Sequence, residues 1–508
     1  MKNWQKLALT CLAALLSGAS LTLAFAPFEI YPLAILAPAA LLALWLNTSA
    51  KKAFSLGFLF GLGFFGTGVY WVFISIHDYG HAPALLAGAL TVGLVSLLAL
   101  FPGFAGYLTS RYFPKTNTPK LIYAFPTIWV TTEWLRGWVA TGFPWLLVGY
   151  SQTSSPLSGY APLLSVYGVS LAVTLTSGLL LNAILQFRKQ HYRATYLNLF
   201  AIVCLFTLGG LSSLIPWTEP TGKPLAVSLV QGNIPQSIKW SPDYADLSLN
   251  RYETLTAPLW GKSQLIVWPE AAIPVPLQDV KPYINALNQK AVKTDSHLLL
   301  GIPIPDANTH RYYNAIVSLG NTPGRYLKQH LVPFGEYTPF QQLSSRLFHF
   351  LDIPMSEMAA GQSQQPLLAA NQVYILPFIC YEIAYTALAQ TNNPNVGLLL
   401  TVTNDAWFGN SSAQAQHLQI AQMRAIELRR PLLFASNNGL TAAIGPKGTI
   451  EAAAPAHVTF VLNAAVQPMT GMTPFMRNGL DPLAFIFICL IVIARRARLT
   501  TPDFIKPD

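Results

Sequence analysis

Three residues in the second half of the chain have side chains suited to acyl transfer: Glu270, Lys328 and Cys380. Each follows a short run that reads as a strand. Leu265-Ile-Val-Trp-Pro leads to Glu270, Arg325-Tyr-Leu to Lys328, and Val373-Tyr-Ile-Leu-Pro-Phe-Ile to Cys380. A thiol is a nucleophile as its thiolate, and a neighbouring carboxylate can take its proton as general base. An ammonium nearby lowers the thiol pKa from its free value of about 8.5 and stabilises the oxyanion of a tetrahedral intermediate. A strand-end position ahead of a helix places a residue in an exposed crevice, where the helix N-terminus favours an anion; the polar stretch 383–390 is expected to be that helix. Each residue also has a plainer reading: Cys380 as a small buried hydrophobe, Glu270 as a helix-start carboxylate, Lys328 as an exposed lysine. Separations of 58 and 52 residues do not by themselves bring the three together.

The elements that must position them are legible from about residue 220 onward. Short apolar runs are expected as strands at 225–230, 265–268, 297–302, 315–319, 373–379, 396–402, 432–435, 440–444 and 458–462. Polar, helix-compatible stretches lie between them at 243–259, 282–294 and 413–430. Such alternation predicts a layered α/β domain. Asn404 and Asp405 read as turn caps, and Arg424, Glu427 and Arg429 as a solvated, charge-paired helix face. His417 fits either core or surface.

The rest of the chain is of another kind. Of 508 residues, 52% are hydrophobic and 10% charged, against roughly 25% charged in soluble domains. Apolar runs of membrane-spanning length are expected near 7–25, 30–46, 54–76, 84–108, 121–138, 163–185, 197–215 and 480–494. The fold class is thus a multi-pass α-helical membrane domain of eight spans plus an α/β domain. Its boundaries are 1–216 for spans one to seven, 217–477 for the α/β domain, and 478–508 for span eight and the tail. The net charge of +10 is a topology signal and not a nucleic-acid one. Residues 217–477 hold 16 basic and 15 acidic residues, so the surplus lies in the membrane part. With the N-terminus in the cytoplasm, all of its 15 basic residues except Arg136 fall on the cytoplasmic side, as the positive-inside rule requires. Both termini are then cytoplasmic and the α/β domain is extracytoplasmic. The first span could also be read as a signal peptide ending at Ala24-Phe-Ala26, but Pro27 and the next apolar run favour an uncleaved span.

Glu133 and Arg136 in span five read either as a functional intramembrane pair or as one ion pair a helical turn apart. The Gly142-Phe-Pro-Trp145 loop reads as an interfacial anchor or as the lining of a lipid entry route. Residues 347–358 read as a lipid-dipping segment or as packing beside the sheet. Cys380 alone of four cysteines lies in polar sequence, so no disulfide framework is expected. No metal-ligand spacing, phosphate loop or dinucleotide fingerprint occurs, and no cofactor is expected.

Trp268-Pro-Glu270, Lys328-x-His330-Leu-x-Pro-x-Gly-Glu336 and Ile379-Cys380-Tyr381-Glu382 resemble, in order, the three signature blocks of the nitrilase superfamily. Val230-Gln-Gly-Asn-Ile-Pro-Gln-x-x-Lys-Trp240, Thr403-Asn-Asp-Ala-Trp-Phe-Gly409 and Ser436-Asn-Asn-Gly439 extend the resemblance to bacterial apolipoprotein N-acyltransferases. That resemblance implies a nitrilase-like α-β-β-α sandwich between the seventh and eighth of eight spans. It implies Cys380 as nucleophile, Glu270 as general base and Lys328 as oxyanion-stabilising cation. It implies supporting or substrate-binding roles for Trp240, Glu336, Tyr381 and Glu382, to which the membrane-side Trp145 is added. The implied partners are a phospholipid acyl donor and a diacylated apolipoprotein acceptor in a bacterial inner membrane, with no nucleic acid. The alternative is a membrane-tethered amidase or nitrilase that hydrolyses small amides by the same thioester chemistry. A receptor or transporter whose outer domain only binds ligand would leave the three ordered blocks without a purpose.

Overall fold

The computed structural model describes residues 3–337 and 358–498. The apolar 347–358 segment falls, except for Met358, outside the described residues. The chain separates into two compact units. One comprises residues 1–72, 85–215 and 474–508; the other comprises 73–84 and 216–473.

The first unit is helical. Among the described residues, four helices are long and apolar enough to cross a membrane: Asn3–Thr22, Ala84–Tyr112, Pro156–Arg188 and Tyr192–Ser213. A fifth results if Ala50–Gly68 and Trp71–Tyr79, bent by 53° at their junction, count as one span. The other three expected spans coincide with helices that are shorter, broken or more charged. Leu33–Leu44 has 12 residues and Pro38 within it. A π-helical turn, Pro119–Ala124, precedes Phe125–Arg136. The last, Asp481–Arg498, runs into a basic end. Ser49 caps Ala50–Gly68 by accepting from the Lys52 amide. Glycine lets this helix approach Asn3–Thr22 closely: a Cβ on Gly18 would lie 1.9 Å from the Phe60 carbonyl oxygen, and one on Gly63 2.0 Å from that of Leu15. Small residues at such crossings are what apolar surroundings favour, because packing alone must hold the helices together.

The second unit is built on strands β1 (Thr218–Pro220), β2 (Leu225–Gln231), β3 (Leu265–Val267), β4 (His297–Pro305), β5 (Tyr312–Leu319), β6 (Gly324–Leu327) and β7 (Leu368–Ala370). It continues with β8 (Val373–Ile379), β9 (Val396–Thr403), β10 (Leu432–Ser436), β11 (Ala442–Ile444), β12 (Ile450–Ala453), β13 (Phe460–Val466) and β14 (Met469–Gly471). They form two six-stranded sheets, ordered β13-β2-β3-β4-β5-β6 and β12-β11-β10-β9-β8-β7, and a small β1-β14 pair. Both large sheets are mixed: β2, β3 and β4 run parallel in one, and β8, β9 and β10 in the other. The period of two along each strand sorts its residues between layers. Leu225, Val227 and Leu229 join Leu398, Leu400, Val402 and Leu433 in one core between the sheets. Ile266, Leu298 and Leu300 face the other way, toward Tyr252, Ile284 and Leu287. Those last three belong to helices Ala245–Thr256 and Lys281–Lys293. Phe434, alternating outward from β10, meets His417 of helix Ala413–Leu428 at 5.1 Å between rings. The layering is helix, sheet, sheet, helix.

The expected charged face on Ala413–Leu428 is not solvated. Fourteen of its sixteen residues are buried, so Arg424 and Glu427 pair with each other in the interior. Arg424 Nε also donates to the Ile383 carbonyl at 3.0 Å. Arg429 is buried as well and ends the helix in a left-handed conformation.

Candidate active site

The C-terminal ends of parallel strands converge on one edge of the sandwich, where α/β sheets place their sites. Glu270 follows β3. It is positioned from behind: Trp268 stacks on Tyr252 at 5.1 Å and donates from its indole nitrogen to Thr256 Oγ1 at 2.8 Å. Gly301 on β4 has to be a glycine, since a Cβ there would sit 2.4 Å from the Pro269 carbonyl oxygen and 2.6 Å from the Ala271 amide. Lys328 follows β6, and Cys380 follows β8.

Lys328 is 1% exposed. Its Nζ lies 2.7 Å from Glu336 Oε1 and 3.6 Å from Glu270 Oε1. Burial disfavours its charged form, but Glu336, Glu270 and Cys380 outweigh this and hold it above the ordinary lysine range. The ammonium therefore stays charged. Cys380 is half-buried and adopts φ 53°, left-handed geometry that a non-glycine residue rarely takes. It opens a 3₁₀ turn, Cys380–Ala384, followed by the one-turn helix Thr386–Ala389. The expected helix over 383–390 is thus replaced by pieces too short to supply a strong dipole. Burial, then Glu270, push the thiol well above its ordinary value; Lys328 pulls it down, Asp405 raises it again, and Thr403 lowers it by hydrogen bonding. The expected lysine effect has the right sign and loses to burial. The resting state sets a protonated thiol beside an ammonium, so Cys380 can react as a thiolate only once a neighbouring group takes its proton.

Two families match the chain in sequence. The one described as "Apolipoprotein N-acyltransferase N-terminal domain" covers residues 17–179, and "Carbon-nitrogen hydrolase" covers residues 226–474. A protein of Coxiella burnetii named apolipoprotein N-acyltransferase is 42% identical over 481 residues, spanning 94% of this chain and 98% of its own. One of Azotobacter vinelandii bearing the same name is 41% identical over 498 residues, 97% and 96% of the two chains. The chain belongs to the apolipoprotein N-acyltransferase family. Among solved structures, a CN-hydrolase superfamily protein of Xanthomonas campestris aligns with 56% of this chain and 100% of its own at 17% identity and TM-score 0.38.

The family assignment leaves the supporting residues to be placed by geometry. Glu336 anchors Lys328 and accepts from the Val332 amide at 2.8 Å. Glu382 is fully buried and accepts from Tyr326 Oη, and from the amides of Gln329, His330 and Ile379, at 2.6–3.1 Å. It thereby ties the loop after Lys328 to the turn after Cys380. Burial pushes its carboxyl up to about 7, against the pull of the Ile379 amide, Lys328 and the other amides. Tyr381 packs edge-on against Tyr385 at 5.1 Å. Trp240 is half-buried at the end of the Gln236–Lys239 turn, and its buried indole nitrogen has no partner among the described residues. Trp145 belongs to the helical unit and is not an exposed anchor: it is 1% exposed and packs on Trp71 at 5.3 Å. In the same unit, Glu133 and Arg136 engage the 143–148 backbone. Glu133 accepts from the Val148 amide at 2.9 Å, and Arg136 donates to the carbonyls of Phe143, Trp145 and Leu146.

Several residues carry more than their sequence context suggested. Asn314 Nδ2 donates to Glu270 Oε1 at 2.7 Å and to Glu336 Oε1 at 3.2 Å, bridging both carboxylates. The Asn404 amide donates to Glu270 Oε2 at 2.9 Å. Asp405 Oδ1 accepts from Thr403 Oγ1 at 2.8 Å and lies 3.0 Å from His417 Nδ1. His417 Nε2 in turn lies 3.2 Å from the Cys380 carbonyl oxygen. The Cys380 backbone is held from behind by a histidine set by a buried carboxylate. Lys239 Nζ donates to the Glu270 carbonyl at 3.0 Å, and burial brings this lysine down to about 7. The missed signals were positional: Thr403-Asn-Asp ends a wholly buried strand much as Cys380 follows β8, and Asn314 interrupts an apolar run. Among the described residues, no His, Cys, Asp and Glu cluster is arranged to hold a metal ion.

Proposed function

We propose that the Glu270–Lys328–Cys380 cluster moves an acyl chain from a phospholipid to the α-amine of an S-diacylglyceryl-cysteine at an apolipoprotein N-terminus. In the first half-reaction Cys380 Sγ attacks the ester carbonyl while Glu270 takes the thiol proton, and the oxyanion develops against Lys328. Collapse expels the glycerol oxygen, which receives that proton, leaving a thioester and a lysophospholipid. In the second half-reaction the neutral amine attacks the thioester. Glu270 takes a proton from nitrogen and returns it to the departing thiolate, giving the amide and free enzyme. A thioester is more reactive toward an amine than the starting ester, so the covalent step divides one difficult transfer in two.

The observation that carries this reading is the Lys328 ammonium held between Glu270 and Glu336, beside a thiol that feels both Glu270 and Lys328. Glu336 and Glu382 support that geometry, with Trp240 and Tyr381 as substrate-side residues. The chain crosses the bacterial inner membrane eight times with both termini cytoplasmic, and its catalytic segment lies on the outer face. The basic residues flanking each span support that topology. A membrane-embedded enzyme also meets its substrates laterally, since exposing each methylene of a lipid to water costs about 0.8 kcal/mol.

The test is intact-protein mass spectrometry after incubation with phospholipid alone. A fatty-acyl mass on Cys380 that leaves when a diacylglyceryl-cysteine peptide is added is the expected result. Active, folded protein that acquires no such mass, and instead releases ammonia from small amides, would sink the transfer reading in favour of a tethered amidase.

A further inference from the structure

The α/β unit also holds an open cavity of about 420 Å³, with Tyr79, Gln236, Ser237, Asn410, Asn438 and His457 among its lining. Ligand sites commonly enclose about 300–1,000 Å³. Residues 73–84 cluster with this unit, and they are fixed there by Ser75 Oγ donating to the Trp407 carbonyl at 2.8 Å. Two bonds tie the cavity to the catalytic cluster. Gln236 Oε1 accepts from Asn404 Nδ2 at 2.7 Å, and the Asn404 amide holds Glu270. From the same turn as Gln236 and Ser237, Lys239 holds the Glu270 carbonyl. One short element therefore forms a cavity wall on one side and a support of the base on the other.

The chemistry of the lining selects among substrates. None of these side chains is Lys, Arg, Asp or Glu, whereas a phosphodiester is normally met by arginine or lysine. Carboxamides and hydroxyls dominate instead. Asn438 is already engaged, with His457 Nδ1 at 2.6 Å from its Oδ1 and its Nδ2 donating to Asn233 Oδ1. The Gln236 amide nitrogen, the Ser237 hydroxyl and the Asn410 carboxamide have no partner among the described residues. A carboxamide offers a donor and an acceptor together, which matches the alternating N–H and C=O of a peptide main chain.

We propose that this cavity binds the main chain of the acceptor's residues immediately after its lipidated cysteine. The inference rests on the acyl-transfer reading and extends it by assigning a peptide subsite. Recognition of main-chain groups implies that binding depends on the length of the acceptor peptide rather than on its side chains.

Asn410 and Ser237 are exposed, so Asn410→Leu and Ser237→Val are compatible with the fold. Each half-reaction is then timed separately in the full-length enzyme. Thioester formation is followed with phospholipid alone, and aminolysis with diacylglyceryl-cysteine and with a five-residue diacylglyceryl-cysteine peptide. Losing a hydrogen bond of typical strength corresponds to roughly tenfold in affinity. The variants are accordingly expected to raise KM for the five-residue acceptor about tenfold more than for the single residue, with a smaller effect on thioester formation. Equal KM effects on the two acceptors, or none, would overturn the proposal. So would slowed thioester formation with acceptor KM unchanged, which would place the donor's head group in the cavity. Failure of the unaltered enzyme to form any thioester would overturn the underlying acyl-transfer reading instead.

Discussion

At the scale of residues, the site keeps its proposed nucleophile, Cys380, protonated. Burial and Glu270 together exceed the pull of Lys328 on Cys380, so the thiolate is scarce near neutral pH. An acid whose pKa is raised releases its proton later, and thiolate reactivity is shifted to higher pH accordingly. Alkylation of Cys380 by iodoacetamide is therefore expected to keep accelerating above about pH 8.5, the midpoint of a free thiol. A plateau below pH 8 would mean that the lysine prevails after all and that a standing thiolate–ammonium pair attacks. The three side chains proposed to react stood out in the sequence because each follows a short strand-like run with a residue of unusual chemistry. Their partners were not. Asn314, Asp405 and His417 are ordinary residue types whose importance comes from what faces them across sheets, and that pairing has no local trace.

At the scale of elements, regular secondary structure was the most legible part. The run 373–379 is a strand at its expected limits, and 413–430 shortens to Ala413–Leu428. The amphipathic reading of that helix failed because polar residues in its sequence meet polar groups inside the protein rather than water. Its Arg424–Glu427 pair is fully buried, and breaking such a pair costs roughly 3–5 kcal/mol because one charge is left uncompensated, while replacing both partners with packed apolar residues costs far less. Arg424→Met is thus expected to lower the thermal midpoint in detergent markedly, and Arg424→Met with Glu427→Leu to recover most of the loss. A double variant no more stable than the single one would show that the bonds of Arg424 to Ile383 and Thr386 matter more than the charge pair.

At the scale of the whole molecule, the two halves obey different solvents. The helical unit exposes large apolar side chains such as Leu85, Phe200 and Leu211, as a lipid-facing surface does. The α/β unit buries its own between sheets. Hydropathy located the long helices of the first but not their breaks, since a π-helical turn or a 53° bend leaves the local composition apolar. The proposed topology predicts that a cysteine introduced at Lys447 reacts with an impermeant maleimide in intact spheroplasts. One introduced at Gln190, between the helices ending at Arg188 and beginning at Tyr192, is expected to react only after lysis. Reversed labelling would invert the assignment of faces. The left-handed Cys380 backbone has a consequence at this scale too. A conformation that disfavours every side chain by roughly 1–2 kcal/mol makes glycine the residue that suits the fold at that position, and glycine has no thiol. If Cys380 is the nucleophile as proposed, selection for stability and selection for activity pull in opposite directions at that position. The surrounding sheet edge, with Glu382 and His417 gripping the turn from two sides, must stay rigid enough to hold a shape that the turn would not choose for itself.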